Sequence, residues 1–264
     1  MRVLISNLVF CLTLSCLACA EIATDVRIEA SYPNFYDNSL LDDEMRSLIA
    51  PYLLPETHPL KCVVDHLFSQ SRATETMESL VLAGFQIIAA MQNSYIVVAK
   101  HSAVPGYVFK IYLDTERRSR DNKPNWRWLI NRCYSARMIR LKIAQKKIEH
   151  FVVPDKWIYL LPQFPASRTS HPAPFILMET DMDIESAQIS KNAWKKEVSR
   201  SHLNELYAIL RHGYGSVNLG NIPRTKNGKF AFIDTEFSRR RHNLKHVKKY
   251  LSNEMAHYWE HLIK

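Results

Sequence analysis

Two oxygen-bearing side chains near the C-terminal end carry the clearest chemistry in this chain. In the stretch HGYGSVNLGNIPRTKNGKFAFIDTEF, residues 212–237, Asn221 precedes the turn Lys226-Asn227-Gly228 and Asp234 follows the apolar run 230–233. An Asn-Gly turn between apolar runs signals a hairpin. The hairpin brings an amide carbonyl and a carboxylate together, oxygen donors suited to Mg²⁺ and, through it, to nucleotide phosphates. The bland alternative is an Asn capping a turn and an Asp ending a buried strand. Lys110 is a second candidate, a cation among apolar neighbours in Tyr107-Val108-Phe109-Lys110-Ile111. Phe175-Ile176-Leu177-Met178 is a short buried-type strand running into the polar Glu179-Thr180-Asp181.

The elements that must position these residues follow from periodicity. Apolar residues Leu40, Leu41, Met45, Leu48 and Ile49 give a helical stripe over 39–54 that ends before Pro55, and 59–70 and 74–83 read as two further short helices. At Gly84 the character changes. Residues 85–91, 95–100 and 107–113 are β-prone runs separated by Gln92-Asn93-Ser94 and by a turn with Pro105-Gly106, an antiparallel meander. A helix is predicted over 126–149, then β-like residues at Val152-Val153 and over 157–161, a proline-studded loop, and the strand at Phe175. Trp194, Val198, Leu203, Leu206, Tyr207 and Leu210 predict one core helix over 191–212. The hairpin follows, and a basic helix from about Asn243 closes the chain.

The order meander, helix, two strands, polar hinge, helix, loop, hairpin resembles the protein-kinase and aminoglycoside-phosphotransferase superfamily over roughly residues 84–237. That resemblance implies an α+β, two-lobed protein-kinase-like fold with a reduced C-terminal lobe and a helical N-terminal extension. Its divisions would be 1–20 signal peptide, 21–83 helical extension, 84–181 N-lobe and hinge, and 182–264 small C-lobe. It implies ATP with Mg²⁺ or Mn²⁺ as cofactors, Lys110 holding the α- and β-phosphates, and Asn221 and Asp234 holding the metal. Met178 would close the back of the pocket, and backbone groups of Glu179 to Asp181 would pair with the base.

The chain also departs from the family pattern. Ser216 stands five residues before Asn221, where the resemblance calls for the catalytic aspartate, and Tyr214 replaces the loop histidine. A serine does not accept a substrate proton at neutral pH as a carboxylate does. Residues 126–148 contain no acid to hold Lys110 by an ion pair, and Gln92-Asn93-Ser94 lacks a glycine-rich phosphate cover. The resemblance therefore implies either a divergent ATP/Mg-dependent phosphotransferase, with Ser216 and Asp234 in the catalytic positions, or a pseudokinase that works by docking a protein partner.

Composition bounds the remaining classes. With 264 residues, 47% hydrophobic and 23% charged, the chain supports one large or two small cores, and 6 glycines against 12 prolines exclude glycine-rich arrays. Arg2, an apolar core around Leu8 to Leu14 and Ala18-Cys19-Ala20 before Glu21 have the layout of a secretory signal cleaved after Ala20, leaving no transmembrane segment in the mature chain. An uncleaved anchor and a lipoprotein at Cys16 or Cys19 are the alternatives. Export to the periplasm, to the medium or into a host cell follows from the signal. Cys62 and Cys133 would remain, either joined in one disulfide or both buried thiols. The net charge of +9 concentrates in residues 239–249, which carry Arg239, Arg240, Arg241, Lys245, Lys248 and Lys249 with no acid. Such a run attracts nucleic acid, anionic surfaces or an acidic protein, or simply forms a solvated face.

Overall fold

The computed structural model describes residues 38–90, 95–117, 119–120, 122–236 and 243–264. Its first helix, Asp43–Ile49 (α1), is capped by the Asp42 carboxylate, which accepts from the Met45 N–H at 2.7 Å, and its buried residues Met45 and Ile49 recur at helical spacing. Lys61–Gln70 (α2) and Met77–Leu82 (α3) follow, the second capped by Thr76. The chain leaves α3 through Gly84 at φ +86°, where an added Cβ would meet His101 Nε2 at 2.8 Å. Only glycine fits that turn.

Strands Phe85–Ala90 (β1), Val97–His101 (β2) and Tyr107–Ile111 (β3) form the expected antiparallel meander. A small ribbon of Ser119–Arg120 (β4) and Lys123–Pro124 (β5) leads into helix Trp128–Lys146 (α4). Phe151–Val152 (β6), Lys156–Leu160 (β7) and Phe175–Thr180 (β8) come next, and β8 inserts between β3 and β7. The result is a five-stranded antiparallel sheet in the order β1-β2-β3-β8-β7, making the protein a mixed α+β structure.

The sheet's two faces differ because side chains alternate along each strand. Phe109 and Ile111 of β3, with Ile176 and Met178 of β8, pack against Val64, Phe68 and Leu80 from α2 and α3. Helices α2 and α3 are thus the cover of this face, whereas Met45 and Ile49 of α1 pack on the other. On the other face Phe175 and Leu177 meet Leu129 and Cys133 of α4. The same helix reaches a second core through Ile139, where helices Ala187–Lys196 (α5), Arg200–Leu210 (α6) and Asn253–Leu262 (α7) pack around Trp194, Leu206, Phe230 and Trp259. Phe230–Ala231 (β9) pairs in parallel with β6, tying this core to the end of α4.

Several elements differ from the periodicity reading. The single helix expected over 191–212 is two, α5 and α6, because Ser199 starts a new helix and its N–H donates to His202 Nδ1 at 3.3 Å. The basic helix expected from Asn243 is a 3-10 segment, Leu244–Tyr250, followed by α7, which Ser252 caps. Cys62 and Cys133 are not joined. Cys62 is exposed, whereas Cys133 is buried in α4, where desolvation pushes its thiol up to about 12. The signal-like residues 1–20, the turn 92–94 and Arg239 to Arg241 lie outside the described residues. Among those described, no helix is long and apolar enough to cross a membrane.

Candidate functional site

A cavity of about 600 Å³ opens beneath the sheet on the α4 side. That size suits a small organic ligand. Much of its wall is aliphatic, with Ile88, Ile96, Val98, Val108, Ile184 and Ile233, and its charged groups are Lys100, Lys110, Arg132, Glu179, Asp181 and Asp234. Asn221 completes the polar side. Lys110, Asn221 and Asp234, singled out from distant parts of the chain, therefore meet at one site.

Strand register explains the placement of Lys110. Phe109 and Ile111 point to the opposite core, so Val108 and Lys110 face the cavity. Lys110 Nζ donates to the Ile233 carbonyl at 2.6 Å and pairs with Glu179 Oε1 at 2.9 Å. Glu179 is paired across the ladder with Val108 on one side and Lys156 on the other. The Lys156 ammonium binds the second Glu179 oxygen and donates to the Ile233 carbonyl at 2.9 Å. One buried carboxylate thus holds two buried lysines. Burial by itself raises the Glu179 pKa, but Lys110 and Lys156 together bring it below the usual carboxylate value. Desolvation pushes Lys156 down to about 8 despite its partner.

The partner for Lys110 therefore comes from the neighbouring strand β8. The Glu179 side chain holds the lysine. The backbone donors beyond it are also engaged, with Thr180 N–H bonded to Asp155 O at 3.0 Å and Asp181 N–H bonded to Gly106 O at 2.8 Å. Asp181 lines the cavity through a side chain that pairs with Lys100. Met178 does not line it, being buried on the opposite face of the sheet; Met182 is the methionine in the wall.

Asp234 is positioned by the loop after β9 and by α4. Thr235 Oγ1 donates to the Arg132 carbonyl at 2.7 Å, fixing the loop to the helix. The Arg132 guanidinium pairs with Asp234 Oδ1 and reaches Glu236 Oε1 at 3.2 Å. Asn221 Nδ2 donates to Asp234 Oδ2 at 3.3 Å and to Ser216 Oγ at 3.3 Å, so Ser216, Asn221 and Asp234 form one chain of contacts. Gly215, at φ +75°, sets that loop against Phe232, whose ring a Cβ would approach to 2.8 Å. Burial by itself raises the Asp234 pKa, but Arg132, Lys110 and Lys156 bring it below its ordinary value.

The cavity sets aliphatic walls beside the Lys110 ammonium. A divalent cation does not fit the donors as they stand. Asp234 and Asn221 are the oxygen donors such an ion needs, but the Arg132 cation stands on Asp234 Oδ1 and would repel it, and the Asn221 amide donates to Oδ2. Among the described residues there is no cluster of three or more His, Cys, Asp or Glu able to hold a metal.

Sequence reasoning missed Arg132 and Lys156. Arg132 belongs to the buried stripe Leu129, Arg132, Cys133, Ala136, Ile139, so a cation aimed inward was visible in the spacing. Lys156 likewise shares a face with the buried Ile158. Neither position belongs to the pattern that the resemblance supplies, so neither stood out.

No protein-family model matches the chain, and no curated protein or solved structure matches it.

Proposed function

We propose that this chain is a divergent relative of the protein kinases and aminoglycoside phosphotransferases, two-lobed, with a nucleotide in its cleft, and that it acts as a pseudokinase by binding rather than transferring phosphate. The observation carrying this reading is the convergence of Lys110, Asn221 and Asp234 on one cavity under the β1-β2-β3-β8-β7 sheet. Two features favour binding over transfer. Arg132 occupies the Asp234 carboxylate that a phosphotransferase gives to its metal. Ser216 offers a hydroxyl where the reaction calls for a carboxylate to receive the acceptor's proton.

The alternative, a Mg-dependent phosphotransferase, is supported by the contacts joining Ser216, Asn221 and Asp234, since phosphoryl transfer depends chiefly on positioning. Titration with ATP, alongside an assay for γ-phosphate transfer, separates the readings. Saturable binding weakened in Ile184→Asp, with no transfer in Mg²⁺ or Mn²⁺, is the expected result. Ile184 lines the cavity yet is 43% exposed, so the substitution tests the wall without emptying the core. Metal-dependent transfer abolished by Asp234→Ala would instead establish the phosphotransferase; no nucleotide binding would end both readings.

Export and a protein partner belong to the same proposal. In the described part of the basic run the Lys248 charge is offset by Glu260, while Lys249 keeps its charge beside the Tyr250 ring. An acidic protein therefore suits this face better than a polyanion such as nucleic acid, which draws on many unpaired cations.

A further inference from the structure

The misfit between Asp234 and a metal has a constructive side. Each carboxylate in the cavity wall already carries a cation of this chain: Lys100 on Asp181, Lys110 on Glu179 and Arg132 on Asp234. A bare aspartate would repel the phosphates of a nucleotide unless a divalent ion stood between them. Here the guanidinium screens it. Arg132 is buried at 4% exposure, lines the cavity, and its Nε–H has no acceptor among the described residues. A buried donor without an acceptor is a rare feature that points to a missing partner.

We infer that the cleft takes its nucleotide without a metal, the phosphate oxygens being bound by Lys110 and by the Arg132 guanidinium, whose place on Asp234 is the one a divalent cation would otherwise hold. The inference rests on the nucleotide reading above. Guanidinium suits the task because it stays charged at every physiological pH and presents a planar array of N–H donors to oxyanions. Its anchor at Asp234 and Glu236 fixes that array before the ligand arrives, and the Thr235 contact holds the helix and loop in register.

The test is a titration of the full chain with ATP in excess EDTA and again in Mg²⁺, followed by intrinsic fluorescence and by thermal shift. The expected result is the same affinity in both buffers. Arg132→Met should lose roughly tenfold or more in EDTA, the size of one lost charge-assisted contact, and regain part of it in Mg²⁺ as the uncovered Asp234 becomes a metal ligand. Arg132 is buried, so Asp234→Asn provides a second variant that removes the carboxylate and keeps the cation. It should still bind in EDTA, more weakly because the guanidinium loses one of its two anchors, and show no response to Mg²⁺. Binding by the parent only in Mg²⁺ would overturn metal independence while leaving the nucleotide site intact. Binding in neither buffer would overturn the nucleotide reading itself.

Discussion

At the residue scale, Glu179 decides whether two lysines can be buried at all. Its two oxygens hold Lys110 and Lys156, all three side chains being largely removed from water. Removing one carboxylate from such a group leaves charges without a counterion, a loss of about 3–5 kcal/mol. Glu179→Ala should therefore unfold at markedly lower urea, with an intact far-UV signal at zero denaturant; a change under 1 kcal/mol would show that the lysines find water or other partners. Acid stability follows from Asp234. Its folded pKa lies below the ordinary 3.8, so the unfolded chain binds the proton more readily. The stabilisation is complete above that unfolded value and is lost as pH falls through the lower folded one. Asp234→Asn should flatten the decline of stability below about pH 4, measured by chemical unfolding across pH. An unchanged slope would remove Asp234 from the acid response.

At the element scale, α4 does two jobs that one helix can combine because its faces differ along its length. Leu129 and Cys133 pack under the sheet, Ile139 packs into the aromatic core of α5, α6 and α7, and Arg132 faces the cavity. In that aromatic core the Trp194 and Phe230 ring centres are 4.2 Å apart, and Trp194 Nε1 donates to the Ile222 carbonyl at 2.9 Å, beside Asn221. Trp194→Ala should cost about 3–5 kcal/mol and loosen the Asn221 loop, read as faster amide exchange over residues 216–222. Normal protection there would separate the core from the loop. The three meander strands and α4 were legible in the sequence because alternation and helical spacing are local signals. The break between α5 and α6 was less so, since Val198 and Leu203 continue an apolar stripe across the Ser199 cap. The pairing of Lys110 was not legible at all. It depends on β8 lying next to β3, a crossover that spacing along the chain does not reveal.

At the scale of the whole molecule, α2 and α3 back the sheet that carries half of the site, while α1 packs with α4 on its other face. α2 and α3 cover one face of the sheet, and the cavity opens on the other. The positions of Lys110 and Glu179 are thus set by packing from behind and by ladder partners at each side, which favours a preformed pocket over one assembled by its ligand. Asn221 and Asp234 were legible through the family resemblance and the short turn between them, which brings them within contact. Arg132 was less legible because its role depends on the loop after β9 folding back onto α4, and its hold on Asp234 favours binding over transfer.

The most direct test of the proposed nucleotide site is labelling with an acyl-phosphate derivative of ATP, which acylates a lysine amine lying beside bound phosphates, followed by peptide mapping. The expected result is modification of Lys110, suppressed by excess ATP, with the fully enclosed Lys156 spared. Labelling confined to surface lysines, unaffected by ATP, would contradict it.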